Sequence, residues 1–404
     1  MQLEHLLTDE QKSIREMVRK FVVKEILPIR EKLEEDYSLV EGIHQKLVAL
    51  GIQRVGYPPA YGGGLGPGAR TTSIIIREEL ARGDAGIALI SGINGGAILA
   101  PAIGAGNKAI LDRFVPAFCG DKLNYACLSM TDATGGADTE NPVLKWRGIA
   151  TRAKLDGDEY VINGTKSWPS NAGMASVYMT VCTTDPDAGD DGIAIIYVPG
   201  DAKGLSFGKP EAKMGFKTCI NASVYYDNVR VPKEYRVAGP GKDALFYHAL
   251  AGCGSPFHNG AIALGIAQAA FDIVLEYTKG RESGGKPVRE WSLAAGILAD
   301  MAIRIEMTRA AVYNMAWMLD HPDVYPPAFS ASMISKGNVV RVFGADTAVY
   351  VTNKAVELMG SNGLSPEYHM EKYLRDSKIT QLILAGQQVS RYRVIRGYYD
   401  YVVQ

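Results

Sequence analysis

Cysteine is scarce in this 404-residue sequence, with five residues at positions 119, 127, 182, 219 and 253. Their number is odd, their spacing is wide, and no Cys-x-x-Cys motif occurs. These properties argue against a disulfide framework and against a structural zinc site. Thiols that stay reduced are typical of the cytoplasm, which is the location that we expect.

An excess of either charge is also missing, since 43 lysines and arginines balance 44 aspartates and glutamates for a formal net charge of -1. We therefore expect neither nucleic acid nor an anionic membrane as a partner. The uncharged stretch 86–106 has the length of a membrane span, but it contains six glycines, one asparagine and one proline. That composition predicts buried helices that line a pocket, and no transmembrane segment.

Apolar residues are abundant, at 47% of the total, which is enough for a large core in two or three domains. The first third has helical periodicity after a capping box at Thr8–Gln11. Alternating apolar residues and the hairpin signals Asp156-Gly157 and Asn163-Gly164 predict an antiparallel β domain in the middle. Long helical segments then predict a four-helix-bundle-like domain. The predicted fold is therefore α+β, with an N-terminal α-helical domain over 1–121, a β domain over 122–235 and a C-terminal α-helical domain over 236–404.

The segment 57–68 is rich in glycine and proline and is predicted to be a loop, since no strand precedes it and no Gly-Lys-Ser/Thr closes it as in a phosphate-binding loop. Helices are expected near 38–50, 70–83, 107–118, 259–279, 291–320, 332–360 and 385–398. Strands are expected near 149–154, 160–162, 165–168, 177–182, 193–198 and 223–231.

Four segments resemble those of a known family. LSMTDATGGADT, at 128–139, resembles a flavin-binding strand and loop, and NGTKSWPSNAG, at 163–173, resembles a tryptophan-containing flavin segment. The strand segment 214–234 and the C-terminal segment 357–379 follow in the order that the family shows. With the order of helices and strands, these segments make the chain similar to the acyl-CoA dehydrogenase family over nearly its whole length.

The resemblance implies a bound FAD between the β domain and the C-terminal helices. Thr131 and the backbone beside it would hydrogen-bond the flavin ring edge, Trp168 would pack against the ring, and Ser170 would lie at flavin N5. Phosphate and adenine contacts would come from a neighbouring subunit, which implies a homotetramer or at least a dimer. The implied cofactor-binding residues are Leu128, Ser129, Met130, Thr131, Trp168, Ser170, Arg281, Ser283, Glu357, Gly360, Ser361, Gly386 and Gln388. The implied partners are an acyl-CoA thioester as substrate and an electron-transfer flavoprotein, or a similar protein, as electron acceptor.

The family reaction removes a proton from the carbon next to the thioester, with a glutamate as base, and passes a hydride from the next carbon to flavin N5. The resemblance places Leu384 at the position of that glutamate and Ser255 at the position that a minority of members use. Neither side chain is a carboxylate. Leu384 keeps the backbone N–H that binds the thioester oxygen in the family, so we place it, with Ser255, among the substrate-binding residues.

Three further departures concern ligand contacts. Ala137 replaces a serine and Pro256 replaces an arginine that help to bind the coenzyme A arm, so an unusual pose or a different carrier remains open. Ala137 is still assigned to the substrate site. Gly284 replaces an aromatic residue and removes one FAD contact.

Replacement bases are few. Ser91 and Asn94 belong to the glycine-rich stretch that should line the acyl pocket, and His258 belongs to the first long C-terminal helix. His258 has the side chain that titrates near neutral pH, although a lone histidine is more often a packed residue. Cys253 as a nucleophile is a weaker candidate, and no carboxylate suggests itself.

Several functions remain open at this point. The first is an FAD-dependent oxidoreductase with altered regiochemistry on a conjugated or cyclic acyl-CoA, in which a more distant carbon loses the proton, and the reductase direction belongs to the same idea. The second is a non-oxidative flavin-bound lyase of the desulfinase or decarboxylase type, which needs no base for the α-proton. The third is a silent flavin-binding subunit, and a flavin monooxygenase is the fourth.

Overall fold

The computed structural model describes residues 7–136 and 144–402, with side chains up to Tyr399. Helices come first, a sheet follows and helices return, which confirms the predicted α+β fold class. The changes of element type fall between Cys119 and Ala126 and between Pro232 and Lys242.

Seven α-helices form the N-terminal region from residue 7 onward, and polar side chains cap four of them. The predicted capping box is present at Thr8, and Asp36, Asp84 and Asn107 cap the third, fifth and seventh helices. The helices are α1 Asp9–Phe21, α2 Arg30–Leu33, α3 Tyr37–Ala49, α4 Ala69–Gly83, α5 Ala85–Gly92, α6 Ala100–Ala105 and α7 Lys108–Cys119. A π-helical turn, Ile93–Ala97, continues α5.

The middle region is a seven-stranded sheet. Most neighbouring strands are antiparallel, as predicted, but the first strand is parallel to the fourth, and the second meets the fourth in parallel at a single pair. The strands are β1 Ala126–Ser129, β2 Arg152–Asp156, β3 Glu159–Lys166, β4 Val177–Thr183, β5 Ile193–Pro199, β6 Leu205–Phe207 and β7 Val224–Pro232. Because β4 is buried along its whole length, it forms the centre of this domain.

One of the two predicted hairpins is correct. Asp156 pairs with Glu159 across the turn between β2 and β3, as the Asp-Gly signal indicates. The hairpin predicted at Asn163-Gly164 is wrong, because β3 continues through it with a shift of register against β7. A Cβ on Gly164 would lie 2.7 Å from the Thr151 Cα, so glycine is required here for close approach of two backbones, at a bulge.

The C-terminal region is a helical bundle in which α9, α10, α11 and the pair α12/α13 pack together. The helices are α8 Lys242–Tyr247, α9 Ser255–Gly280, α10 Ser292–Asp320, α11 Ala331–Met359, α12 Met370–Leu382 and α13 Gly386–Val402. A short hairpin of β8 Glu282–Ser283 and β9 Lys286–Pro287 joins α9 to α10. The periodicity of the sequence does not predict α12, which lies largely within the family-like segment 357–379.

A buried charge cluster joins the three regions. Lys372 on α12 contacts the carboxylates of Asp376, at 2.6 Å, and of Asp84, at 2.9 Å. Asp376 also accepts a hydrogen bond from the backbone N–H of Phe216, at 2.6 Å. The cluster therefore fixes α12, which leads to Leu384, against both the N-terminal helices and the segment between β6 and β7.

Two stretches, Ala85–Ala105 and Lys242–Gly280, are long and apolar enough to cross a membrane by length and composition. Of their most apolar parts, 67% and 61% are buried inside the protein. A core helix meets the same criterion, so the finding is weak evidence for a span. Close packing explains two glycines of the first stretch, because a Cβ on Gly86 would lie 2.1 Å from the Thr218 Oγ1 and one on Gly96 would lie 2.8 Å from the carbonyl oxygen of Gly56.

Candidate active site

The loop that follows β1 presents Thr131, and a buried ion pair holds this loop in place. Lys166 contacts Asp132 at 2.9 Å, with both side chains fully buried, and donates a second hydrogen bond to the carbonyl of Met130 at 2.7 Å. The carbonyl of Thr131 accepts from the N–H of Ser167 at 2.8 Å. Within the described residues, the amide and hydroxyl of Thr131 have no hydrogen-bond partner, so both are available to a ligand.

The residues before Thr131 are largely buried in the sheet. Ser129 and Met130 are buried and Leu128 is half-buried. The hydroxyl of Ser129 accepts a hydrogen bond from Tyr226 at 2.8 Å, inside the sheet. This hydroxyl is therefore occupied within the sheet.

Trp168 is an exposed aromatic side chain on a strained backbone. Its φ is 66°, in the left-handed region, and its side chain is 51% exposed. Asn221 holds this conformation by donating a hydrogen bond to the Trp168 carbonyl at 2.6 Å. Strain that the surroundings maintain around an exposed ring is typical of a ligand-binding position.

Asn221 also orients Ser170. Its amide nitrogen donates to the Ser170 Oγ at 3.2 Å, and the thiol of Cys219 lies at 3.3 Å from the same oxygen. Lys213 contacts the amide oxygen of Asn221, which fixes the direction of the amide group. Because Ser170 accepts two hydrogen bonds, its own proton is left to donate to an acceptor such as flavin N5.

Leu384 lies in a tight turn between α12 and α13. Leu384, Ala385 and Gly386 have φ values of 57°, 60° and 76°, so three consecutive residues are left-handed. Arg341, which is fully buried on α11, holds the turn by hydrogen bonds to the carbonyls of Ile383 and Gly386. No described residue accepts a hydrogen bond from the Leu384 N–H.

The loop after β1 and the Leu384 turn are neighbours. A Cβ added to Gly136 would lie 3.5 Å from the Thr131 Oγ1 and 3.6 Å from the Ala385 Cα. The structure thus brings together Thr131 and Leu384, which are distant in sequence. A flavin ring at the first position and a thioester at the second would be adjacent.

The residues assigned to the phosphate and adenine side lie at one end of the bundle. Arg281 and Ser283 are exposed just after α9, while Glu357, Gly360 and Ser361 are exposed at the end of α11. Tyr277 connects these two ends, since it donates to the Met359 carbonyl at 3.3 Å and accepts from Asn362 at 2.9 Å. The remaining cofactor-side residues, Gly386 and Gln388, begin α13.

An aromatic ring covers Gly284. A Cβ on Gly284 would lie 2.8 Å from the Cζ2 of Trp291, so the indole covers this glycine. The indole N–H donates to the Ser283 carbonyl at 3.0 Å. An aromatic side chain therefore lies beside Gly284, although it comes from Trp291, the residue before α10.

Ser91 and His258 meet at one cavity of ≈ 150 Å³ between α4, the α5 segment and α9. Its lining contains arginine, serine, histidine, glycine and apolar residues, and no carboxylate. Burial, together with Arg77 and Arg70, lowers the pKa of His258 well below its usual value. Ser255 is half-buried at the first residue of α9, and Ala137 lies outside the described residues.

The buried thiol of Cys253 is not suited to nucleophilic attack. The structure has Cys253 fully buried, and burial raises the pKa of its thiol to about 12. A thiol with that pKa is protonated at neutral pH, whereas the thiolate is the nucleophile. All five cysteines are free.

The residues present fit a flavin. Thr131 offers an amide and a hydroxyl for the ring edge, Ser170 offers a proton for N5, and Trp168 offers an exposed indole face. Metal chemistry has no comparable site, because no group of three or more histidine, cysteine, aspartate or glutamate residues that could hold a metal ion occurs in 7–136 or 144–402.

Sequence reasoning missed three residues that position this site. Lys166 lies in the family-like segment 163–173 and Asn221 in the segment 214–234. No motif within these segments distinguishes either residue from its neighbours. The sequence does point to Arg341. It is a charged residue beside Val340, Gly344 and Ala345 on a predicted helix, and a charged residue that is buried is expected to have a specific partner.

The fold and the site define a flavoprotein in which the loop at Thr131 faces the Leu384 turn. Sequence profiles described as the N-terminal, middle and C-terminal domains of acyl-CoA dehydrogenase match residues 8–122, 127–229 and 257–397. The chain belongs to the acyl-CoA dehydrogenase family. Its members are FAD-dependent enzymes that oxidise acyl-CoA thioesters at a CH–CH group, and FAD is the cofactor of this chain.

Individual relatives cover almost the whole chain. Cyclohex-1-ene-1-carbonyl-CoA dehydrogenase of Geobacter metallireducens is 31% identical over 95% of this chain and 97% of its own. Butyryl-CoA dehydrogenase of Megasphaera elsdenii has a similar structure, with 27% identity, a TM-score of 0.86 and coverage of 98% of this chain and 99% of its own. A structure described as the electron transferring flavoprotein of Acidaminococcus fermentans is 28% identical, with a TM-score of 0.86 and coverage of 97% and 98%.

Proposed function

We propose that this enzyme oxidises a conjugated or cyclic acyl-CoA and that the proton leaves from a carbon other than the one next to the thioester. The observation that supports the proposal is Leu384, a hydrocarbon side chain in a turn whose N–H has no partner among the described residues. Hydrocarbon cannot accept a proton, whereas the N–H can still bind the thioester oxygen.

Different residues of the chain bind the thioester and orient the flavin. Leu384 polarises the carbonyl through its N–H, and Arg341 keeps that N–H in place by binding the carbonyls on both sides of the turn. Ser170 and Thr131 orient the flavin, and Trp168 excludes water from its ring. FAD, when bound, supplies a two-electron acceptor for a hydride.

A ring-bearing substrate is supported by the relative from Geobacter metallireducens, whose name specifies a cyclohexene carbonyl-CoA. A double bond conjugated to the carbonyl spreads acidity to a carbon further along the chain. The proton would pass to another group beside that more distant carbon, so a base at the usual position is unnecessary. Removal of a charged side chain there avoids its desolvation cost.

The partners that we propose are an electron-transfer flavoprotein and further copies of this chain. The first is supported by the structural neighbour from Acidaminococcus fermentans. The second is supported by the exposed position of Arg281, Ser283 and Glu357, which a cofactor of a neighbouring subunit could reach. A homotetramer is the expected assembly, and a cytoplasmic location is proposed from the cysteine usage alone.

Anaerobic bleaching of the flavin tests the reaction class. The FAD-loaded protein is mixed with cyclic 1-ene thioesters and with saturated straight-chain thioesters, and absorbance and products are followed. Bleaching by a cyclic thioester is expected. Product without bleaching would replace the proposal by a lyase, and activity that appears only with a second protein would indicate a silent subunit.

A gain of ordinary chemistry is expected from Leu384→Glu. The new carboxylate would lie where the family base lies, so α,β-dehydrogenation of a saturated acyl-CoA should rise roughly a hundredfold, within the usual range for a positioned base. Leu382→Glu is the matched control, because Leu382 is 58% exposed two residues earlier. If Leu384→Glu binds FAD and thioester without any such gain, the placement of Leu384 is wrong.

A further inference from the structure

Cys219 is a buried thiol beside Ser170, the residue that the family resemblance assigns to flavin N5. Its side chain is 1% exposed, and its Sγ lies 3.3 Å from the Ser170 Oγ and 3.6 Å from the Asn221 Oδ1. A thiol has one proton to donate and a sulfur that accepts weakly. The thiol can therefore donate to only one of the two oxygens at a time, and its sulfur can accept a proton while it does so.

Lys213 fixes the oxygen of Asn221 on the side of the thiol. Lys213 donates to the Asn221 Oδ1, and an ammonium group can only donate, so the amide oxygen and not the nitrogen lies there. The amide nitrogen donates to Ser170 instead, at 3.2 Å. Lys213 also donates to the backbone carbonyl of Cys219. Both alternative acceptors of the thiol proton are thus held in place.

The backbone of the two segments is fixed as well. Ser170 and Asn221 form an isolated antiparallel bridge, and the N–H of Asn171 donates to the carbonyl of Ile220 at 2.9 Å. Cys219 directly precedes this paired stretch. A change in the direction of the hydrogen bonds between Cys219 and Ser170 therefore requires rotation of a thiol proton and a hydroxyl proton, and no movement of the chain.

The proton of Ser170 needs a different partner in each redox state of the flavin. Oxidised flavin presents a lone pair at N5, whereas reduced flavin presents an N–H there. Ser170 can donate to the lone pair, but it must accept from the N–H, and its own proton then needs another acceptor. Within the described part of the chain, Ser170 Oγ hydrogen-bonds to the Asn221 nitrogen and the Cys219 sulfur, and of these only the sulfur can accept.

We propose that Cys219 is a positioning residue that lets Ser170 reverse its hydrogen bonds when the flavin is reduced. With oxidised flavin, the thiol donates to Ser170 and Ser170 donates to N5. With reduced flavin, Ser170 accepts from N5–H and donates to the Cys219 sulfur, and the thiol donates to the Asn221 Oδ1. No covalent bond of the chain forms or breaks, and every buried polar group keeps a partner in both states. The inference rests on the placement of Ser170 at N5 in the proposed function, and not on the identity of the thioester.

The flavin potential measures the effect of the thiol. In Cys219→Ala the proton of Ser170 has no acceptor once the flavin is reduced, so the affinity for reduced FAD relative to oxidised FAD should fall roughly tenfold. That factor lowers the midpoint potential by about 30 mV for a two-electron couple. Cys219→Ser restores a group that donates and accepts, and should return the potential toward the wild-type value. Cys182→Ala is the matched control, because Cys182 is a fully buried thiol that contacts the Ala194 carbonyl at 3.6 Å.

The S–H stretching band tests the rotation directly in the FAD-loaded protein. Infrared difference spectra are recorded between the oxidised and the photochemically reduced flavin, without any thioester. The S–H band lies where few other protein groups absorb, and its position depends on the acceptor of the thiol proton. Reduction should remove one S–H band and produce another. This pair of bands should be absent in Cys219→Ala and Cys219→Ser and unchanged in Cys182→Ala.

Each outcome has a definite meaning. The pair of bands in the wild type, its loss in Cys219→Ala and the lower potential of that variant together support the proposal. A wild-type spectrum without a change in the S–H region overturns it, whether or not the variants fold. An unchanged potential in Cys219→Ala, or a potential in Cys219→Ser as low as that of Cys219→Ala, also overturns it. Because no thioester is present, a failure of the proposed substrate class would appear only in the bleaching experiment and would leave these results as they are.

Discussion

Asn221 determines the geometry of the flavin side at the scale of single residues. One amide group donates to the carbonyl of Trp168 and to the hydroxyl of Ser170, so a single side chain fixes the ring and the proton that face the cofactor. Its own orientation depends on Lys213. Trp168 and Ser170, which the family resemblance identifies, are therefore positioned by Asn221, which no sequence motif identifies.

Asn221→Ala should weaken FAD binding roughly tenfold and lower the free energy of unfolding by about 1–2 kcal/mol, because the strained Trp168 backbone loses its hydrogen bond. Fluorescence titration of flavin and urea unfolding measure the two effects. Ser206→Ala, at an exposed position of β6 in the same sheet, is the control. Unchanged flavin affinity in Asn221→Ala would remove Asn221 from the site.

Local patterns could predict only residues whose role is local. The capping box at Thr8 and the Asp156-Gly157 turn depend on neighbours within four residues, and both are confirmed. Lys166, Arg341 and Asn221 act through residues that are distant in sequence, so no local spacing reveals their partners. The position of Leu384 came from resemblance, and only the structure shows its N–H without a partner.

At the scale of elements, a buried ion pair between Asp132 in the loop after β1 and Lys166 at the end of β3 holds that loop in place. Lys166 balances the charge of Asp132 and at the same time binds the Met130 carbonyl. Asp132 further accepts from the hydroxyl of Thr151 at 2.6 Å. The same strand, β3, contains the bulge at Gly164, where the Asn-Gly pair indicated a turn. The close approach of Thr151 to the backbone of Gly164 outweighs that turn preference.

Lys166→Met should lower the free energy of unfolding by about 3–5 kcal/mol, since it leaves a buried carboxylate without its counter-charge. Denaturant unfolding at neutral pH measures this loss. Lys233→Met is the matched control, because the pair of Lys233 with Asp158 is exposed, and it should cost less than about 1 kcal/mol. Equal losses of unfolding free energy in the two variants would show that the buried pair stabilises the protein no more than the exposed pair does.

An uncovered apolar face on α10 is the main feature at the scale of the whole molecule. Ile303 is 60% exposed, Met307 58% and Trp317 42%, and the helical spacing places all three on one face. Exposed apolar residues that are grouped in this way are typical of interaction surfaces. The face supports the proposed assembly of several copies.

Met307→Glu should reduce the molar mass measured by light scattering after gel filtration, because a charge would be buried in the subunit contact. Leu155→Glu is the control, since Leu155 is equally exposed, at 52%, but lies on β2. A wild-type protein that elutes as a monomer, or a Met307→Glu variant with unchanged mass, would argue against α10 as the contact.

The most direct test is exchange of the proton next to the thioester carbonyl. The FAD-loaded protein is incubated in D₂O with a saturated acyl-CoA, and loss of that proton is followed by NMR. Because Leu384 offers a hydrogen-bond donor and no base, we expect exchange at the rate of the protein-free solution in the wild type and faster exchange in Leu384→Glu. Rapid exchange in the wild type would show that a base already lies beside that carbon, and would contradict the account.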